Sequence, residues 1–142
     1  MSHYTTCNSQ MKNRDCIVKA LERMGFNRTD IEVSDTPMAL KTYGGSSAGR
    51  KANIRIKGYG WGSENRVGSL CNDIGFELTK DGTYTMHVCD YADRAHSIHK
   101  NSNFLNLYTA EVIKDTASYH HFFVETEDNS NNEIKLELHS SF

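Results

Sequence analysis

The sequence predicts an α+β domain of two layers, an antiparallel sheet carrying two main helices. Three observations predict it. Two stretches repeat apolar residues at helical spacing, and several others alternate with the period of a strand. The elements also run in the order strand, helix, several strands, helix, two strands. A chain of 142 residues suits one domain spanning 1–142. It is long enough to bury roughly two thirds of its unfolded surface.

Residues 2–10, rich in Thr and Tyr, read as the first strand. The period then changes over 13–25, where Cys16, Ile17, Ala20, Leu21 and Met24 line one helical face and Lys19, Glu22 and Arg23 face away. Asn13 is the expected N-cap, and Gly25, followed by apolar Phe26, the expected left-handed C-terminal residue. DIEVSD at 30–35 is a short strand, and Pro37, the only proline, marks a turn or a sheet edge. GGSSAGR at 44–50 is a flexible loop. ANIRIK at 52–57 alternates, so Ile54 and Ile56 point to the core while Arg55 and Lys57 face out.

DIGFELTK and TYTMHVCDY form a hairpin about Asp81-Gly82, a dipeptide suited to a type I′ turn. A polar segment follows, from Asp93 to Asn103. The second long helix runs from about 103 to 119, with Leu105, Tyr108, Val112 and Tyr119 as its stripe. HHFFVETED and EIKLELH, joined by NSNN, make a closing hairpin. The Met and Tyr side chains on both helices belong to the core.

Composition narrows the function. With 37% hydrophobic and 24% charged residues the chain has the balance of a soluble globule. It contains no apolar run long enough to span a bilayer and no basic-then-apolar N-terminal segment, so it is expected to stay in the cytoplasm, that of the host if the protein is viral. A net charge of −2 argues against a grip on long DNA or RNA, where many counterions must be displaced. A small phosphorylated ligand needs only two or three local cations and stays open. The four cysteines, at 7, 16, 71 and 89, form no CxxC pair and are expected to be free thiols. Cys16 lies on the apolar stripe, where it acts as a small hydrophobe.

One stretch stands out, GYGWGSENRVG at 58–68. Tyr59 and Trp61 offer flat π-faces on which a nucleobase stacks. Arg66 offers a planar fork for phosphate, and the glycines free backbone N–H groups for an anion nest. Packing of Trp61 on the core or against another subunit is the alternative. TYGGSSAGRK at 42–51 is the second candidate, with Tyr43 near its start and Arg50 and Lys51 as counter-charges. It lacks the GxxxxGK[ST] pattern of a Walker A loop, and an ordinary exposed loop is its plainer reading. The two loops flank one strand, roughly 20 Å apart at about 3.3 Å per residue. A shared site would therefore be assembled between subunits, which favours a homo-oligomer.

Other chemistry is weaker. His96 and His99 stand at i, i+3 with Cys89 and Asp90 nearby, but adjacent His120 and His121 would point to opposite faces of a strand, and no metal site is expected. Asp90, Asp93 and Glu111 are possible acids that nothing pairs by spacing, and GxSxG and HExxH are missing. No catalytic residue and no cofactor are assigned, and the protein is expected not to be an enzyme.

Several stretches also occur together in one family. MSHYTT at the start, ALERMGF closing the first helix, NDIGFEL before DGTY, Tyr108 on the long helix and FVETEDNSNNEIKLEL at the end follow a shared order. In these the chain resembles, over nearly its whole length, the hypothetical chloroplast open reading frame thirty-five family, which has bacterial and phage members. The resemblance implies a compact α+β fold and no chemistry. The chain departs from it at His121, where a glycine is expected, and in the longer loop at 58–68. It is also similar in character to viral proteins that counter cyclic-oligonucleotide (CBASS-type) anti-phage signalling. That similarity implies an oligomeric sponge that binds a cyclic di- or trinucleotide without cleaving it. The alternatives are an adaptor that binds a protein through an aromatic loop or a sheet edge, and a phosphodiesterase acting on the same ligands.

Overall fold

The computed structural model describes residues 4–7, 11–40, 49–57, 73–89, 102–119, 122–130 and 133–140. The elements follow the expected order: β1 (Tyr4–Cys7), α1 (Arg14–Arg23), a 3-10 turn (Arg28–Asp30), β2 (Ile31–Ala39), β3 (Lys51–Ile56), β4 (Ile74–Leu78), β5 (Tyr84–Cys89), α2 (Ser102–Tyr119), β6 (Phe122–Ser130) and β7 (Glu133–Ser140). The first five strands make one antiparallel sheet in the order β1-β5-β4-β3-β2, and β6 and β7 make a separate two-stranded sheet. The fold is the predicted two-layer α+β arrangement. Pro37 lies on β2, the edge strand, where a missing N–H costs no ladder bond.

Local chemistry sets α1. The Asn13 side chain accepts a hydrogen bond from the Cys16 N–H at 3.1 Å, capping the first turn. At the other end Gly25 has φ 108°, and the Phe26 N–H donates to the Leu21 carbonyl at 3.2 Å. That is the bonding of a Schellman stop, and it carries Phe26 into the core, where it is 2% exposed.

Alternation sorts the sheet into two faces. Ile31, Ile54, Ile56, Ile74, Phe76, Tyr84 and Met86 are buried toward the helices with Ile17, Leu21, Phe104 and Leu107. Phe76 and Phe104 place their rings 5.6 Å apart, tilted by 37°, which ties α2 to the centre of the sheet. Tyr108 locks the two helices: its hydroxyl accepts from the N–H groups of Lys12 and Asn13 at 3.0 and 3.2 Å.

Three expectations need correction. The hairpin at Asp81-Gly82 is not a two-residue type I′ turn. Thr79 pairs with Thr83, Gly82 has φ 85°, and its N–H returns to the Thr79 carbonyl at 3.1 Å, so the loop holds three residues. The Asp81 carboxylate, accepting from the hydroxyls of Thr79 and Thr83, fixes that wider loop. On α2 the buried stripe is Phe104, Leu107, Ala110 and Ala117, whereas Leu105 is 46% exposed. The helix carries apolar residues on several sides, so spacing alone did not select the face. Arg55 leaves the core face as expected but is held against the sheet, with only 17% of its side chain exposed.

Candidate functional site

The site is built where β2 and β3 part. Residues 34–37 of β2 stand opposite the single residue Asn53, because Val33 pairs with Ile54 and Met38 with Ala52. Such a bulge leaves strand carbonyls without ladder partners. Asn53, 5% exposed, supplies them: Nδ2 donates to the carbonyls of Ser34 and Asp35 at 3.2 and 3.1 Å, while Oδ1 accepts from the Leu78 N–H at 2.9 Å. One amide thus joins three strands. Beyond the bulge β2 ends at Ala39 and Leu40, and the Leu40 N–H donates to the Arg50 carbonyl at 3.0 Å.

Three cations gather at this corner. Lys51 is the strand partner of Ala39, and Arg50 precedes it. Both are exposed, and neither forms an ion pair among the described residues. Arg55, two positions beyond Asn53, reaches the same corner. Its Nη1 donates to the Ala39 carbonyl at 2.8 Å and its Nη2 to Glu32 Oε2 at 2.6 Å. Its Nε is buried with no hydrogen-bond partner, a donor left over after both ends of the fork are engaged. Arg14, Arg23, Arg28, Lys57 and Lys114, like Arg55 itself, are ion-paired.

Arg55 belongs to a row that crosses the sheet. Register aligns Glu32, Arg55, Gly75, His87 and Thr6 on neighbouring strands. His87, 2% exposed, bonds through Nε2 to Glu77 Oε1 at 2.8 Å. Between Arg55 and His87 no side chain fits. A Cβ on Gly75 would lie 2.6 Å from the Ala52 Cβ and 2.8 Å from a Leu40 methyl, so the glycine is required by close approach.

Tyr43, Tyr59, Trp61 and Arg66 lie outside the described residues, as do His96, His99, His120, His121, Asp90 and Asp93. The strand between the two candidate loops is described. It places Arg50 and Lys51 at the start of β3, and Lys57, after which the second loop begins, at its other end. Glu111, considered as an acid, is instead bonded to Arg23 at 3.2 Å. Among the described residues no group of three His, Cys, Asp or Glu side chains is placed to hold a metal ion. Cys16 is a buried free thiol whose pKa is raised by burial and then by nearby carboxylates, Asp115 first, so it is unreactive near neutrality. Among the described residues no helix is long and apolar enough to cross a membrane.

Sequence reasoning missed Arg55 and Asn53 as parts of this corner. The signal present was an Asn and an Arg interrupting an apolar strand, and only the bulge in β2 shows what they serve. No family model, curated protein or solved structure matches the chain.

Proposed function

We propose that the protein binds a small phosphate-bearing nucleotide and holds it without turnover, most specifically by sequestering a cyclic di- or trinucleotide signal. The observation that carries this is the corner of Arg50, Lys51 and Arg55. Arg50 and Lys51 are exposed and form no ion pair among the described residues, and they stand beside Arg55, whose guanidinium is held by the Ala39 carbonyl and Glu32. Phosphate oxygens accept charge-assisted hydrogen bonds from such groups. In the sequence, residues 41–48, with their glycines, serines and Tyr43, connect Leu40 to Gly49 beside Arg50. Tyr59, Trp61 and Arg66, which follow β3 in the sequence, would provide base stacking and a further phosphate contact.

The test is native mass spectrometry of the protein with a panel of cyclic di- and trinucleotides, followed by recovery of the ligand after denaturation. Bound and chemically intact nucleotide is the expected result. The double replacement R50A/K51A should weaken binding tenfold or more, since each charge-assisted hydrogen bond is worth about 1.5–3 kcal/mol. Trp61→Ala should weaken it by a similar factor with the fold retained. Cleaved product would replace this reading with a phosphodiesterase. No nucleotide bound, together with a stoichiometric protein partner, would replace it with an adaptor.

A further inference from the structure

The outer face of α2 and the strand β7 enclose a groove of about 350 Å³, lined by Asn106, Thr109, Ala110, Ile113, Leu136 and Leu138. None of these six side chains is ionisable, although 24% of the chain is charged. Ile113 and Leu138 are 39% and 42% exposed, and Leu105, on the same helix, is 46% exposed. β7 forms the rim of this groove, and its one strand neighbour among the described residues is β6. A strand so placed is a template for another strand.

The sequence of β7 says which strand. Residues 133–139 read EIKLELH. Paired antiparallel with itself about Leu136, this segment is complementary at every position. Leu136 meets the partner's Leu136, Ile134 meets the partner's Leu138, Lys135 meets the partner's Glu137, and Glu133 meets the partner's His139. In such a pairing the period of two in the sequence would set the apolar positions on one face and the opposite charges on the other. β6 has no such property: FFVETEDNS contains three acids and no base, so pairing it with itself would set like charges together.

We infer that two copies of this chain associate through β7, joining their hairpins into a four-stranded sheet across a two-fold axis. The contact is isologous, each β7 presenting the same patch to the other. Both copies of α2 then lie on one face of that sheet. The two grooves close against each other, and Leu136, Leu138 and Ile113 leave water. Within one copy Glu137 Oε1 lies 3.7 Å from His139 Nε2, so the partner's Lys135 adds a cation to an existing pair rather than filling an empty place. The association rests on the groove and on β7, and it stands or falls independently of nucleotide binding.

The test is the molar mass of the full-length protein by light scattering and sedimentation across a dilution series. A mass of twice the chain is expected. The single replacements K135E and E137K each set like charges opposite one another and should raise the dimer dissociation constant tenfold or more. The charge swap K135E/E137K restores opposite charges across the seam and should recover the dimer. Circular dichroism confirms that each variant is folded. A monomer at every concentration overturns the inference, as does a dimer indifferent to both single replacements. Failure of the swap to rescue also overturns it, because the effect would then not arise from charge across β7. A wild-type monomer that instead binds a different protein through Leu138 assigns the groove to that partner and overturns it as well.

Discussion

Asn53 shows how much one side chain can carry. Four residues of β2 face it, two of their carbonyls take its two amide hydrogens, and its oxygen takes the N–H of Leu78 where the β3–β4 ladder stops. Replacing it with Ala would leave three backbone groups to find water or go unsatisfied. The expected cost is about 1–3 kcal/mol, because the bulge itself is partly exposed and water can reach some of its carbonyls. Chemical denaturation is the check, with the midpoint moving to lower denaturant at unchanged slope. Asn53→Asp should be no better, since a carboxylate keeps the acceptor for Leu78 but turns negative oxygens toward the two carbonyls. An unchanged midpoint would mean that the bulge needs no bridge. The sequence could not reveal this role: the partners lie 18 to 25 residues away, and nothing in DIEVSD or its neighbours announces a bulge.

At the scale of elements, legibility followed the range of the interactions. α1 was readable because Asn13, Gly25 and Phe26 act within a turn of the helix they terminate. The buried face of α2 was not, since Leu105 and Phe104 are equally apolar and only the position of Phe76 distinguishes them. Nor was the network that docks the closing hairpin. Arg23 of α1 bonds Glu111 of α2 at 3.2 Å and Glu127 of β6 at 2.6 Å, and Lys114 of α2 bonds Glu127 at 2.9 Å. Burial pushes the Glu127 carboxyl up, but the hydrogen bonds and charges of Lys114 and Arg23 outweigh it and leave the group below its ordinary value. A carboxyl lowered in the folded state stabilises the fold fully above its unfolded value of about 4.3. That contribution fades as the pH falls through the lower folded value. Glu127→Gln should therefore be less stable than the wild type at pH 7, and the gap should narrow as the pH is taken below the unfolded value and through the lower folded one. Paired denaturation curves at pH 7 and at a series of acid pH values measure it. A gap of the same size in acid would show that Glu127 acts through packing and not through its charge.

Across the whole molecule α2 is the element that both sheets share. Its Phe104 ring meets Phe76 in the five-stranded sheet, its Tyr108 hydroxyl receives the entrance to α1, and its other flank packs on β6 and β7. A two-stranded hairpin is marginal by itself in water, so β6 and β7 depend on that flank. The corner that gathers Arg50, Lys51 and Arg55 is built on β2 and β3 of the large sheet, not on the hairpin. Binding there and association through β7 can therefore be perturbed separately, while loss of the core under α2 should reach both sheets. Phe104→Ala should cost about 3–5 kcal/mol, the usual penalty for emptying a buried aromatic site. Amide hydrogen exchange gives the sharper reading. Protection of β3 and β4 and protection of β6 and β7 should fall together, because the ring that is removed supports the helix on which both rely. If only the hairpin lost protection, α2 would be a platform for β6 and β7 that the large sheet folds without, and the shared core would end at Phe76.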